Sequence, residues 1–199
     1  MKSLDSLLSI ANRLLGPGGC PWDREQTIFS LQPFLLEETH ELIEAIDLQE
    51  PKKILEELGD VLYTLIFISK RLEEMAAGFN LEQSIEKVSE KLIRRHPHIF
   101  GEKKVSSIEE VISTWDEVKK QEGKKSPISD IPPGLPSLAR AQKVIAKMQK
   151  HKKKLLKEKI SDDIGQKLWD LVKKAQKEGT DAEGALRRVC LAYEQKFEG

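Results

Sequence analysis

Apolar residues recur at intervals of three and four positions along most of the chain, and no stretch alternates with a period of two. Such intervals are typical of amphipathic helices that bury one face. The first run extends from Leu4 to Leu15, and the helix-stopping sequence GPGG at 16–19 follows it. The pattern therefore predicts an all-α protein, and the short connections favour an antiparallel helical bundle.

Start and stop signals divide the rest of the first 122 residues into four more helices. Pro51 stands where proline favours a first helical turn, and Asn80 stands where asparagine favours an N-cap. Ser106 with Glu109, or Ser107 with Glu110, forms a capping box before the last of them. The predicted ranges are about 30–48, 51–75 and 80–95, with a fifth helix that begins near residue 107.

The composition changes at residues 121–136, QEGKKSPISDIPPGLP, which are too rich in proline, glycine and serine to continue a helix. We interpret this segment as a linker. Further helical patterns follow at roughly 137–158, 162–178 and 181–197. The sequence thus predicts a helical domain at 1–120, a linker at 121–136 and a second helical segment at 137–199.

Composition limits the kinds of partner. Lys plus Arg and Asp plus Glu number 33 each, so no overall charge attracts nucleic acid or an anionic membrane. The lysine-rich KMQKHKKKLLKEK at 147–159 is more typical of a solvated helix face than of a nucleic-acid patch. Two cysteines far apart suit a reducing compartment, and no apolar stretch is long enough to span a membrane. We expect a soluble, cytoplasmic protein.

Acidic residues occur on the apolar stripes of the second and third helices. Glu38 and Glu57 each fall among aliphatic residues, and Glu41 and Asp60 lie one turn further along. The stripes comprise Leu31, Leu35, Leu42 and Ala45 on one helix, and Ile54, Val61, Leu65 and Ile68 on the other. An unpaired carboxylate in an apolar interior costs several kcal/mol. Either these acids are protonated, or a cation lies among them.

Two interpretations of the acids remain open from their pattern. Strings of the form EExxE are common on highly charged helices, so either string alone favours a solvated surface. Two such strings on antiparallel neighbours favour a cation site, because Mg²⁺ binds a few carboxylates and keeps waters and substrate phosphates as its other ligands.

Three motifs carry a family resemblance. EETHE at 37–41 is followed fifteen residues later by EELGD at 56–60. They resemble the EExxE and ExxD pair of the MazG nucleoside triphosphate pyrophosphohydrolases, within the all-α NTP pyrophosphatase superfamily. GGCPWDREQT at 18–27 and KLIRRHPHIFG at 91–101 match two further family signatures in the same order. The resemblance covers about residues 4–122.

The resemblance implies a reaction and a set of catalytic groups. The family splits a nucleoside triphosphate between its α- and β-phosphates to give a nucleoside monophosphate and pyrophosphate. The expected catalytic residues and Mg²⁺ ligands, with Mn²⁺ as a possible substitute, are Glu38, Glu41, Glu57 and Asp60, supported at the substrate by Glu37 and Glu56. A bound metal lowers the pKa of water, and a neighbouring carboxylate accepts a proton during attack on phosphorus.

The resemblance also implies contacts to the nucleotide. The positions that match family nucleotide contacts are Lys53, Lys91, Arg95, Lys119 and Trp115. Each of the cations taken singly is equally consistent with an exposed helix residue. Trp115 is suited either to stacking on a base or to anchoring the fifth helix. His40, His96, His98 and Cys20 are interpreted as structural or solvent-facing residues rather than metal ligands or nucleophiles.

The second segment resembles a degenerate copy of the first. SDDIGQ at 161–166 is similar to the EELGD segment with Gln166 in place of the aspartate, and no EExxE precedes it. We expect this segment to pack through Leu168, Leu171, Val172, Leu186 and Val189 and to supply no catalytic group. The leading hypothesis is therefore a homodimeric, Mg²⁺-dependent pyrophosphohydrolase that cleans the nucleotide pool. The alternative is a helical nucleotide-binding or regulatory module with little turnover.

Overall fold

The computed structural model describes residues 2–76, 78–122, 131–150, 160 and 163–198, and all regular secondary structure in these residues is helical. The all-α prediction is confirmed. The described residues form ten helices, α1 Lys2–Leu15, α2 Pro21–Glu25, α3 Gln32–Asp47, α4 Pro51–Met75, α5 Leu81–Arg95, α6 Pro97–Phe100, α7 Ile108–Gln121, α8 Ser137–Lys150, α9 Ile164–Lys177 and α10 Ala182–Glu198. Among the described helices, none is both long enough and apolar enough to cross a membrane.

The contacts divide the chain into two units, Met1–Lys104 and Val105–Gly199. Helix α7 belongs to the second unit by this division. The predicted boundary at residue 120 stays a prediction, because it concerns the extent of a functional domain rather than the density of contacts. Of the predicted linker, residues 123–130 lie outside the described part, as do residues 151–159 of the segment that follows.

The first unit is built around an antiparallel hairpin of α3 and α4. Leu31 at the start of α3 and Phe67 in the second half of α4 share one buried cluster with Leu15 of α1. Phe34, Tyr63 and Ile68 pack against this cluster. The hairpin turns at Leu48–Glu50, where Gln49 has a positive φ of 56°. Because α3 and α4 run in opposite directions, residues near their middles face one another.

The glycines after α1 are required by the geometry of the turn. Gly18 has a φ of 74°, which favours glycine, and a Cβ on Gly19 would lie 2.1 Å from the carbonyl oxygen of Leu14. The amide of Cys20 donates to that same carbonyl over 2.8 Å. The predicted stop of the first helix is confirmed. The short helix α2 that follows was not predicted, since five residues carry no periodic signal.

Both predicted caps of the later helices form. The Oδ1 atom of Asn80 accepts from the amide of Gln83 over 3.0 Å at the start of α5. At α7 the amide of Glu110 donates to the Ser107 hydroxyl over 3.2 Å, and the Glu110 carboxylate accepts from the amide of Ser106 over 2.7 Å. A further short helix, α6, begins at Pro97 directly after α5.

The second unit has its own small interior, which includes Ile145 of α8 and Val172 of α9. The amide side chain of Gln142 accepts from the amide of Ala182 and donates to the carbonyl of Thr180, so it joins α8 to the start of α10. Asp163 caps α9 by accepting from the amide of Gln166 over 3.1 Å. The degenerate segment is thus folded as helix, as its pattern predicted.

Several predicted core positions are wrong. Leu65 of the third-helix stripe is exposed, and so are four of the five apolar residues expected to pack in the second segment, Leu168, Leu171, Leu186 and Val189. Only Val172 of those five is buried. Helical periodicity identifies an apolar face. Part of that face can pack against another helix of the same chain while the rest stays exposed.

Candidate metal centre

An acidic cluster, defined here as Glu38, Glu41 and Glu57, lies at the middle of the α3–α4 hairpin. One carboxylate oxygen from each residue lies within 4.8 Å of those of the other two. Glu57 is buried at 6% exposure, Glu38 is half-buried and Glu41 is exposed. The hairpin geometry produces this arrangement, because the antiparallel helices bring two glutamates of EETHE opposite one glutamate of EELGD.

The pKa values of Glu38 and Glu57 in the acidic cluster are raised. Burial raises the pKa of Glu38, and the charges of Asp60, Glu41, Glu57 and Glu37 raise it further. The pKa of Glu57 is raised by burial first, then by the charges of Glu41, Asp60 and Glu56 and by a side-chain hydrogen bond with Glu41. The carboxylates therefore repel one another in the folded chain, and a cation bound among them would relieve that repulsion.

The remaining predicted acids surround the cluster. Asp60, Glu37 and Glu56 are exposed, and Asp60 does not belong to the group whose oxygens converge. Its charge nonetheless acts on both Glu38 and Glu57. Glu41 and Asp60 are both exposed, because one pair of helices covers only a narrow face and leaves the flanks in solvent.

The cluster fits a hard divalent cation. Its donors are carboxylate oxygens from two rigid helices, which are the donors that Mg²⁺ and Mn²⁺ prefer. One side of the cluster is open to solvent through Glu41, so water and a substrate phosphate can reach the metal. Which acids coordinate the ion stays a prediction, as does the identity of the ion.

The predicted phosphate contacts in the first unit lie on α4 and α5. The ammonium group of Lys53 lies 3.7 Å from a carboxylate oxygen of Glu44 on α3. Lys91 and Arg95 lie one turn apart on α5, and both are half-buried. The sequence interpretation had not singled out Glu44, although its place one turn after Glu41 was a signal that could have found it.

The other two predicted contacts lie on α7, in the second unit. Trp115 is 38% exposed, and the ammonium group of Lys119 lies 4.5 Å from the centroid of its indole ring. Such a contact is a cation–π interaction, and it orients both side chains along one face of α7. Their role toward a nucleotide stays a prediction.

The GGCPWD segment is fixed near the same hairpin by contacts that the sequence did not reveal. The Arg71 guanidinium of α4 donates to the Asp23 carbonyl over 2.8 Å and lies 5.6 Å from the centroid of the Phe67 ring. The Trp22 ring meets the Phe34 ring edge to face at 5.6 Å. Phe34 lies one turn before Glu38 on α3, so this segment packs beside the acidic cluster.

The residues interpreted as structural keep that interpretation. His40 is exposed, and the Nδ1 atom of His96 lies 2.7 Å from the carbonyl oxygen of Leu92, one turn earlier on α5. The rings of His96 and His98 pack at 5.6 Å. Cys20 and Cys190 are free thiols. In the described part of the chain, the group of side chains suited to hold a metal is the acidic cluster alone.

A helical hairpin with converging carboxylates places the chain in the class of all-α proteins with a candidate metal site. Comparisons with known proteins identify the family within that class. A sequence model of the MazG nucleotide pyrophosphohydrolase domain matches residues 26–100, which include the whole acidic cluster.

Relatives of known name match almost the full chain. The nucleoside triphosphate pyrophosphohydrolase of Escherichia coli strain K12 is 32% identical over 99% of this chain and 86% of its own length. The nucleoside triphosphate pyrophosphohydrolase/pyrophosphatase MazG of Thermotoga maritima is 36% identical over 97% of this chain and 83% of its own length.

A solved structure agrees with these relatives. The crystal structure of a mazG-related protein from Thermotoga maritima superposes with a TM-score of 0.51 at 35% identity, and covers 58% of this chain and 98% of that one. The chain therefore belongs to the MazG family of nucleoside triphosphate pyrophosphohydrolases, and it is a hydrolase.

Proposed function

We propose that this protein hydrolyses nucleoside triphosphates between the α- and β-phosphates, giving a nucleoside monophosphate and pyrophosphate, and that the reaction requires Mg²⁺. The observation that carries the proposal is the convergence of Glu38, Glu41 and Glu57 oxygens within 4.8 Å. Four negative charges on a triphosphate cannot approach such a cluster unless a cation lies between them.

Each group has a proposed task. Glu38, Glu41, Glu57 and Asp60 would hold the metal, and Glu37 and Glu56 would add negative charge beside it. Mg²⁺ bound there would neutralise charge on the phosphates and lower the pKa of a bound water. A neighbouring carboxylate that does not coordinate the metal would accept the proton of the attacking water.

The remaining predicted contacts bind the substrate. Lys53, Lys91 and Arg95 provide charged hydrogen-bond donors for phosphate oxygens. For α7 of the second unit, a nucleotide contact by Lys119 and Trp115 is supported by the family resemblance alone, and the Trp115 indole is an aromatic surface of the kind on which a base stacks. Mn²⁺, which also accepts oxygen ligands, is expected to substitute for Mg²⁺. We place the reaction in the cytoplasm, as the cysteine pattern predicts, where it would remove unwanted nucleotides from the pool.

The active species is proposed to be a homodimer. Helix α4 carries an exposed leucine stripe of Leu55, Leu58, Leu62 and Leu65, each at least 41% exposed. These positions recur at intervals of three and four, so they form one apolar seam along the helix that bears Glu57 and Asp60. We propose that a second copy of this chain packs against this seam and buries it.

The direct test is a screen of NTPs and dNTPs for pyrophosphate release with and without Mg²⁺. We expect turnover that EDTA abolishes, and a loss of about a hundredfold or more in Glu38→Gln and Asp60→Asn, because each replaces an anionic ligand by a neutral one of the same shape. Glu90→Gln, an exposed change on α5, is the control and should keep full activity.

Metal binding gives a second readout. A cation at about a hundred times its Kd should add about 2.7 kcal/mol to the free energy of unfolding. Nucleotide binding without turnover would favour the regulatory module instead. A melting curve unaffected by millimolar Mg²⁺ or Mn²⁺ would contradict the metal site.

A further inference from the structure

An ion pair lies next to the acidic cluster, at the end of the hairpin where α3 and α4 are joined. The Lys53 ammonium of α4 and the Glu44 carboxylate of α3 are 3.7 Å apart, and the two side chains are 36% and 42% exposed. Glu44 follows Glu41 by three residues, and Lys53 precedes Glu57 by four. The pair is therefore about one helical turn from the cluster on both helices.

Lys53 has a competing partner on its own helix. Residues four apart share one helix face, so the Lys53 ammonium can reach toward Glu57. An ammonium group placed there would neutralise part of the negative charge that attracts a divalent cation. A lysine that precedes its glutamate by four residues also forms a weaker helical ion pair than the reverse order. In the structure Lys53 is instead paired across the hairpin with Glu44.

We propose that Glu44 is a positioning residue that holds Lys53 away from the acidic cluster. The carboxylates of Glu41 and Glu57 are then left to a divalent cation, while the ammonium group stays one turn away, where a substrate phosphate would meet it. This inference rests on the proposed function, because the cation and the triphosphate both belong to that proposal.

The experiment measures Mn²⁺ binding to the full chain without nucleotide, by calorimetry or by the electron paramagnetic resonance signal of free Mn²⁺. The variants are Glu44→Gln, Lys53→Met and the double variant. Glu44→Gln releases Lys53 toward the cluster, so the Kd for Mn²⁺ should rise about threefold or more, as expected for an exposed charge pair. Lys53→Met and the double variant should bind Mn²⁺ at least as tightly as the wild type.

The double variant distinguishes the release of Lys53 from the loss of the Glu44 charge itself. Loss of the Glu44 charge weakens cation binding at long range whether or not Lys53 is present, whereas release of Lys53 requires the lysine. Glu73→Gln is the matched control, because it breaks the exposed pair of Glu73 with Lys70, 3.3 Å apart on the same helix α4, and should leave the Kd unchanged.

Each possible result of these binding measurements supports or overturns the inference. Equal weakening by Glu44→Gln in the wild-type and Lys53→Met backgrounds would overturn the inference, and so would an unchanged Kd in Glu44→Gln. A wild type that binds no Mn²⁺ would overturn the metal site of the proposed function, and the inference with it. Mn²⁺ binding by the wild type, with no dependence on Glu44, would overturn the inference alone.

A substrate measurement gives an independent readout. Since the pair also orients Lys53, Glu44→Gln should raise KM for a triphosphate when Mn²⁺ is saturating, with a smaller change in kcat. Lys53→Met should raise KM at least as much. A rise in Lys53→Met without any rise in Glu44→Gln would show that the lysine acts on its own, and would contradict the positioning role.

Discussion

At the scale of single residues, Glu57 is placed where its charge destabilises the fold but can serve a metal site. It is a buried carboxylate beside two other acids, and its pKa is raised above the ordinary value of 4.5. Between pH 4.5 and the raised value, the folded chain holds more protons than the unfolded chain, so stability falls as the pH rises. The metal-free protein is therefore under electrostatic strain at neutral pH.

Replacement of Glu57 by glutamine should remove that strain. We expect Glu57→Gln to melt at a higher temperature than the wild type at pH 7.5 in EDTA, with the difference narrowing toward pH 4, where the wild-type carboxyl is protonated in both states. Added Mg²⁺ should reverse the order, because the variant lacks a ligand. A Glu57→Gln protein that melts lower at pH 7.5 without metal would contradict the strain, and Glu90→Gln serves as the exposed control.

At the scale of secondary structure, helix ends are set by local chemistry. Helix α5 begins where the Asn80 side chain accepts from the Gln83 amide, and it carries Lys91 and Arg95 further along. Loss of an N-cap side chain typically costs about 1 kcal/mol. The cap therefore contributes to the helix that presents two of the proposed phosphate contacts.

Asn80→Ala should lower the free energy of unfolding by about 1 kcal/mol, measured by urea denaturation followed by circular dichroism. Asn80→Asp should be nearly neutral, because aspartate accepts the same hydrogen bond. Equal stability of the alanine and aspartate variants would show that the cap contributes nothing in this fold.

At the scale of the whole molecule, the uncovered leucine stripe of α4 predicts association. We expect the wild type to sediment as a dimer of the 22.6 kDa chain. Leu62→Glu should shift it to a monomer, because it places a charge in the middle of the stripe. Met75→Glu is the matched control, since Met75 is 66% exposed on the same helix but off the stripe. A wild type that is monomeric at working concentration would contradict the proposed dimer.

Residues 137–199 should contribute structure and no chemistry. Asp163 and Gln166 are engaged in the cap of α9, and Gln166 also accepts from the amide of Ile160 over 3.2 Å. Gln166→Ala and Asp163→Asn should therefore keep near-normal pyrophosphate release, with asparagine retaining the cap. A large loss of turnover in either variant without loss of helical signal would assign catalytic groups to residues 137–199.

Local sequence patterns were sufficient to predict which segments are helical and which acids are candidate metal ligands. Periodicity and caps predicted α1, α3, α4 and α5 to within about two residues, because helix formation depends on near neighbours along the chain. The short helices α2 and α6 were not predicted, since four or five residues carry no periodicity. The spacing of EETHE and EELGD predicted the acids, and the hairpin brings Glu38, Glu41 and Glu57 together.

The packing of the helices against one another sets which side of each helix is covered. It exposes Leu65, Leu168 and Leu186, and it buries Glu57 while leaving Asp60 in solvent. It also pairs Lys53 with Glu44 across the hairpin. The physical reason is that a helical pattern states that a face is apolar or charged, whereas burial and pairing depend on which other helix lies against that face.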